Sequence, residues 1–441
     1  MTPDPAALPA MRVLLINPPN SGRSIPEEEY GIDAIKPIFR GEPLGLEALA
    51  GALPEHEVRI FDMKSTADPV VDEVNTFAPD IVGITGMTCE ANTMLKIARE
   101  IRAVSRARIV VGGIHASNNP EFFNREEIDF IVIGLGKRSF RDLITQLGND
   151  STSPVPDGIA RTAPGRTLSF TPRQYGKADL DEDYPPRYDL VEKYRSKYLL
   201  SAVGAQFGMV VSAYGCPYRC NFCCIEPLTG GRYLTNEIAS TVRDIKLLPD
   251  VNFIRLVDAN SFGDPDHAMA LCAALRESGI NKQFMADARA DTIVKHPKMM
   301  RAWKEIGLRS VIVGFENINN EGLEALNKGN TAYHNTEAIR ILHDIGISIV
   351  GDFIVSPDYD HTDFDLLEQY LADNIIDLPI LTVLTPLPGT AVYYKMKDRI
   401  TNHDLDYYTL TNAVMPTRLS EKEFYLRYAN ILQRTLHGAK L

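Results

Sequence analysis

Four of the six cysteines crowd into nine residues, in the stretch Tyr214-Gly215-Cys216-Pro217-Tyr218-Arg219-Cys220-Asn221-Phe222-Cys223-Cys224. Three of them, Cys216, Cys220 and Cys223, stand at C-x3-C-x2-C spacing. Thiolates are soft ligands, and three at this spacing fit within one turning loop. They can hold three of the four irons of a [4Fe–4S] cluster and leave the fourth open. A tetrahedral zinc site that adds Cys224, or a set of inert buried thiols, is the other reading. Zinc is disfavoured because the adjacent Cys223 and Cys224 point apart in extended chain. Cys224 then reads as a small buried residue, and the isolated Cys89 and Cys272 read as core packing.

Clustered thiols in a chain of 441 residues point to a reducing compartment and a metal site, not to a disulfide framework. Residues Met1 to Met11 lack the charged and apolar segments of a secretory leader. No stretch approaches the ~18 consecutive apolar residues of a transmembrane helix. A cytoplasmic chain without a membrane-spanning segment is therefore expected. Apolar residues make up 44% and charged residues 24%, a globular balance, and the formal net charge is -12. An acidic chain without a Lys/Arg run lacks the electrostatic footprint for nucleic acid.

Two sets of alternating strands and helices must position these residues. The first covers residues 1–147. Strand-like runs at Arg12–Ile16, Val58–Phe61, Ile81–Ile84, Ile109–Val111 and Phe130–Ile133 are separated by helical patterns. The clearest is Ala91–Val104, where Met94, Ile97, Ala98 and Ile101 recur at helical spacing. This predicts an α/β, doubly wound, Rossmann-like domain that binds its ligand beyond the carboxyl ends of the strands. Those ends carry Gly83-Ile84-Thr85-Gly86 and Gly112-Gly113-Ile114-His115, where glycine lets a large ligand approach the backbone. Residues 148–205, rich in Pro, Gly, Asp and Ser, read as a connector.

The second set spans 206–385. Its strand-like runs are Met209–Ala213, Phe253–Val257, Gln283–Ala288, Ser310–Phe315, Ile347–Ile354 and Ile380–Leu384, with an amphipathic helix over Asn335–Asp344. Six such units predict a partial (β/α)6 barrel with its chemistry at the carboxyl ends of the strands. The cysteine motif follows the first of them. Residues 386–441 form a C-terminal extension whose Tyr393, Tyr394, Tyr407, Tyr408 and Phe424 are expected to pack across the barrel. They suit either a pocket for a flat apolar molecule or a plain core.

The C-x3-C-x2-C spacing with Phe222 before the last cysteine resembles the radical S-adenosylmethionine (SAM) superfamily. With the N-terminal patterns Asn17-Pro18-Pro19, Gly83-Ile84-Thr85 and Val111-Gly112-Gly113-Ile114-His115-Ala116, the chain looks like the branch that carries a cobalamin-binding domain. The resemblance covers nearly the whole chain and implies three cofactors: a [4Fe–4S] cluster, SAM and cobalamin. It implies cobalamin contacts at Gly83, Thr85, Gly112, Gly113 and His115. No histidine stands where D-x-H-x-x-G would place a cobalt ligand, so His115 is expected to contact a loop or the nucleotide tail instead. In the barrel it implies SAM contacts at Asp258, Asn260, Arg289, Glu316 and Gly351. The C-terminal half is most similar to hopanoid C-3 methylases. The stretches that carry this are Lys282-Gln283-Phe284, Leu384-Thr385-Pro386-Leu387-Pro388-Gly389-Thr390 and Val414-Met415-Pro416-Thr417-Arg418-Leu419. Bacteriochlorophyll methylases and the anaerobic ring cyclase share much of the layout.

The activity so implied is methylation of an unactivated carbon of a small, apolar or polycyclic substrate. The reduced cluster cleaves one SAM to a 5′-deoxyadenosyl radical, and a second SAM recharges cobalamin with methyl. A flavodoxin or ferredoxin would supply electrons. Two rival readings are a ring-forming or rearranging enzyme of the same layout, and a cobalamin or redox sensor. No catalytic side chain beyond the cofactor ligands can be assigned from the sequence.

Overall fold

The computed structural model describes residues 10–32, 41–149, 153–200 and 205–437. The reading of the first eleven residues therefore falls mostly outside the described residues, as do parts of the 148–205 stretch. The chain divides into two compact units: residues 1–21, 43–195 and 227–230 form one, and residues 22–42, 196–226 and 231–441 the other.

The first unit is built on a six-stranded sheet. Its strands are β1 (Arg12–Asn17), β2 (Glu57–Asp62), β3 (Ile81–Thr85), β4 (Arg108–Gly112), β5 (Phe130–Val132) and β6 (Ile159–Arg161), in the order β2-β1-β3-β4-β5-β6. The first five run parallel. Parallel strands are covered on both faces, and Val13, Leu14, Leu15 and Ile16 of β1 are fully buried. The helix expected at Ala91–Val104 has those bounds, with Met94, Ile97, Ala98 and Ile101 turned into the core. Strand β6 was not visible in the sequence. It lies in the stretch read as connector and pairs antiparallel with β5. Three residues among turn formers show no periodicity; partner backbone, not pattern, makes them a strand. The order reverses between β1 and β3, which opens a crevice at their carboxyl ends.

The second unit carries β7 (Leu199–Leu200), β8 (Ala205–Val210), β9 (Ala213–Tyr214), β10 (Leu234–Thr235), β11 (Phe253–Leu256), β12 (Gln283–Ala288), β13 (Leu308–Glu316), β14 (Ser348–Val355) and β15 (Leu378–Val383). Seven of them form one curled sheet in the order β15-β14-β13-β12-β11-β8-β7. All six long strands are parallel, and β15 does not close onto β8 or β7, so this is a half-barrel. The first strand differs from the expected Met209–Ala213. It begins earlier, ends at Val210, and hands over to β9, which pairs antiparallel with β10. The break has a cause: the Asp258 carboxylate takes the N–H groups of Ser212 and Ala213 away from any ladder.

The tail packs on the flank of β15, not across the sheet. In its helix Glu421–His437, Phe424 meets Phe364 edge-on at 5.5 Å and the Tyr428 hydroxyl donates to the Leu381 carbonyl at 2.8 Å. Tyr408 and Phe424 are buried and Tyr394 is exposed. Of the two readings of these aromatics, core holds for Tyr408 and Phe424. Buried Asn412 pins residues 22–32 to this tail, accepting from the Ile25 N–H and donating to the Arg23 carbonyl.

Candidate active site

The cysteine loop leaves β9 through Gly215, whose φ of 76° turns the chain where a side chain would be strained. Backbone and amide bonds then tie the loop down. The Asn221 N–H donates to the Leu326 carbonyl and its amide to Ala325, and the Asn327 amide donates to the Arg219 carbonyl. The Cys223 N–H closes a turn onto the Cys220 carbonyl. All four cysteines of the loop are partly buried and none is in a disulfide. Burial pushes the Cys220 thiol up, partly offset by Lys328 and Arg289, and pushes Cys223 up to about 12. Such thiols surrender their protons to a metal, not to water. Among the described residues no three His, Cys, Asp or Glu converge on a single-ion site. A cluster asks for something else, since each thiolate takes its own iron.

Five residues of the half-barrel were singled out in the sequence, and Asp258, Arg289 and Glu316 gather at this loop or its root. Buried Asp258 accepts from the Ser212 N–H and hydroxyl, both at 2.7 Å, and from the Ala213 N–H at 2.9 Å. Burial pushes its carboxyl up against these three bonds. Arg289 spans two elements: its guanidinium lies 3.5 Å over the Tyr218 ring, donates to Asp291 and the Lys328 carbonyl, and comes within 4.0 Å of Cys220 Sγ. Glu316 sits at φ 61°, beside a register shift in β13, and this turns its carboxylate onto Lys328 Nζ at 2.6 Å. Asn260 is 1% exposed, and neither its amide oxygen nor its nitrogen has a partner among the described residues. A buried amide left open at a strand end is a built place for a ligand's polar group. Gly351 is different. A Cβ there would come within 3.0 Å of Phe315 and 2.9 Å of Ile376, so its bareness serves packing behind the sheet.

Lys328, Asp291 and Tyr218 were not found from the sequence. Tyr218 and Lys328 lie on loops and Asp291 in the short helix Ala290–Lys295, with no shared pattern; Arg289 touches all three, and the Tyr218 hydroxyl donates to Asp291 at 3.3 Å. Beside the loop, Phe222 and Met396 pack on Leu326, Ile354 and Leu384. The last four help to line a cleft of about 500 Å3, which Asn221, Asn317, Ser356 and Tyr359 furnish with polar groups.

In the first unit the singled-out residues divide. Thr85 and Gly112 are partly open at the ends of β3 and β4. Gly83 is buried, its face filled by Leu15 and Phe140. Gly113, at φ 96°, has no room for a Cβ: Thr85 Oγ1 would be 2.6 Å away and the Gly86 carbonyl 2.8 Å. It lets two loops touch. His115 has no exposed surface; its Nδ1 lies 3.3 Å from the Thr88 hydroxyl and its ring is edge-on to Phe122 and Phe123. Its ring therefore braces the loop. What stands open at the strand ends is Thr85, Gly86, Met87, Cys89, Gly112 and Ile114, with Met87 52% exposed. This apolar rim suits a broad ligand face; His56 is bonded at the far end of β1, and His115 turns its Nδ1 to Thr88 and keeps its Nε2 buried.

Burial lowers the pKa of His115 from 6.5 to about 4. The unfolded chain binds the extra proton between those values, so stability is full above about pH 6.5 and falls as pH drops toward 4. By pH 4 the loss reaches about 3 kcal/mol. A His115→Phe variant should lose that slope, which urea unfolding at pH 7 and pH 4.5 measures.

Residues 32–144 match the B12 binding domain and residues 210–369 match the radical SAM superfamily. The chain is 28% identical over 400 residues to the hopanoid C-3 methylase of Methylococcus capsulatus, covering 88% of this chain and 75% of the relative. It is 25% identical over 402 residues to the bacteriochlorophyllide d C-8(2)-methyltransferase of Chlorobaculum tepidum, covering 86% and 81%. Its fold matches the radical SAM methyltransferase TsrM from Kitasatospora setae, a structure with cobalamin and a [4Fe–4S] cluster bound. The TM-score is 0.74 at 19% identity, over 97% of this chain and 91% of that one.

Proposed function

Because the chain is a radical SAM enzyme that carries a B12-binding domain, we propose that it methylates an unactivated carbon of a small molecule, with a cluster on Cys216, Cys220 and Cys223. The observation that carries this is the joint presence of the two domains, with the cysteine loop rooted at the mouth of the half-barrel. Bound together, the cluster, SAM and cobalamin supply radical chemistry and a transferable methyl group. The rest is the work of this chain's own residues. Asp258 holds Ser212 and Ala213 so that the loop starts in one place. Arg289 brings a positive charge to Cys220 and ties it to the Lys328 loop. The open amide of Asn260 and the Glu316–Lys328 pair offer polar partners for SAM. The apolar wall at Phe222, Leu326, Ile354 and Leu384, beside the cleft, suits its adenine and keeps water out. At the strand ends of the first unit, Met87, Ile114, Thr85 and Gly112 would face the corrin.

No described helix is long and apolar enough to cross a membrane. Cysteines without disulfides suit a reducing cytoplasm, where a flavodoxin or ferredoxin would deliver the electrons.

Methyl transfer gives SAM two fates. Turnover should yield S-adenosylhomocysteine and 5′-deoxyadenosine in roughly equal amounts per methylated product. A label on the SAM methyl should appear on the substrate carbon, read by mass spectrometry. Substrate-dependent 5′-deoxyadenosine without S-adenosylhomocysteine or label would mean ring formation or rearrangement instead.

A further inference from the structure

The interior of the half-barrel is layered. Phe207 and Met209 of β8, Phe253 of β11, Met285 of β12, Ile312 of β13, Val350 of β14, and Leu378 and Ile380 of β15 pack together as an apolar cluster. Side chains two residues further along a strand point the same way. On the same inward faces Arg255 stands level with Met209 and Met285, Asp287 with Ile312, and Gly314 and Asp352 with Ile380, one step above Val350 and Leu378. Gly351 and Phe353 flank Asp352 and pack outward on Phe315, which agrees with that orientation. The bare face of Gly314 is filled by the Glu316–Lys328 pair, since a Cβ there would lie 2.4 Å from the carboxylate and 2.8 Å from Nζ. A ring of charged side chains thus lines the inner face at and above the apolar cluster, toward the mouth where the cysteine loop sits.

The ring is short of one positive charge. Arg255 is ion-paired with Asp287, and Lys328 with Glu316. Asp352 has no hydrogen bond or ion pair among the described residues, yet it is set between these pairs and stays partly accessible from the lumen. Ile312, Val350 and Leu378 pack one step beneath it, so its open side is toward the mouth. Burial, with Glu316 and Asp287 nearby, pushes its carboxyl well above the usual range, while Lys328 and Arg255 pull the other way. An arriving cation would relieve that cost.

We propose that Asp352 recognises the substrate, and that the substrate carries a protonated amino group, seated in this ring with the reacting carbon toward the mouth. The proposal rests on the reading that a small substrate enters the half-barrel, and it adds the chemistry by which it is held. SAM also carries an ammonium group, so the test must separate the two.

The test uses cluster- and cobalamin-loaded enzyme and a small-molecule extract of a strain lacking this chain. One portion of the extract is N-acetylated, with mild alkali afterwards to free hydroxyls. The first readout is extract-stimulated release of 5′-deoxyadenosine, which reports substrate engagement whether or not methyl moves. Acetylation should lower that release by about tenfold, the scale of one charge-assisted contact. Asp352→Asn should lower it similarly on untreated extract, with iron content and circular dichroism showing an intact fold. SAM affinity of this variant, by equilibrium dialysis, should stay within about threefold, well below the loss of a charged contact. Full stimulation by acetylated extract overturns the amine. Full stimulation in Asp352→Asn overturns the role of charge. A large loss of SAM affinity assigns Asp352 to SAM and overturns the proposal as well. Methyl label is scored separately: stimulated release that is lost on acetylation, with no label transferred, removes the methylase reading and leaves the amine site standing.

Discussion

Replacing Cys216, Cys220 or Cys223 with Ala should cut reductive SAM cleavage by about a hundredfold or more, because a cluster with two thiolates in place of three is not retained. Wild-type protein reconstituted without oxygen should bind about four irons per chain and show the charge-transfer absorbance of such a cluster. Each of the three variants should lose both. Cys224→Ala should keep both, although Cys224 is adjacent to Cys223 and its thiol is likewise pushed up by burial. Iron and sulfide analysis beside the absorbance spectrum decides the matter. Zinc as the sole metal in protein purified without oxygen would sink the assignment, and so would a Cys224 variant that fails like the others.

The second large effect is expected at Asp258, far from any thiol in sequence. Asp258→Ala leaves the Ser212 N–H, the Ser212 hydroxyl and the Ala213 N–H buried without an acceptor. Stranding buried donors costs about 3 kcal/mol in total, and the cost falls on the strand that launches the cysteine loop. The variant should unfold at lower urea and hold its cluster poorly, with iron lost on gel filtration. Asp258→Asn retains one acceptor oxygen and places an amide where a donor is already present, so it should fall between the two. A variant as stable as wild type that keeps its iron would show that the loop needs no such anchor.

How much of this was legible in advance differs from residue to residue. The cysteine motif is local: four cysteines within nine residues fix their own neighbourhood, and thiolate chemistry narrows what they can bind. Most of the longer strands were legible because parallel strands covered on both faces are apolar nearly throughout, as β1 and β3 are, whereas β6, β7 and β10, two or three residues each, left no pattern. Asp258, Arg289 and Glu316 were found because they sit at strand ends, where this architecture gathers its chemistry.

The glycines show the limit. Gly83, Gly113 and Gly351 mark places where a side chain cannot fit, but a sequence does not say what fills the space. Leu15 and Phe140, Thr85 and Gly86, and Phe315 and Ile376 fill it, not an open cleft. His115 likewise has a metal ligand's chemistry but is walled in by Phe122 and Phe123. The ring of Arg255, Asp287, Asp352, Glu316 and Lys328 is the converse case. Its members come from four strands and a loop, up to 97 residues apart, and nothing local marks them as one group. Composition and spacing determine which elements form and which soft metal chemistry the chain can host. Which charges meet, which remain unpaired and which bare backbone faces a ligand depend on strand register and curl. Those are set by contacts between segments that the sequence holds apart.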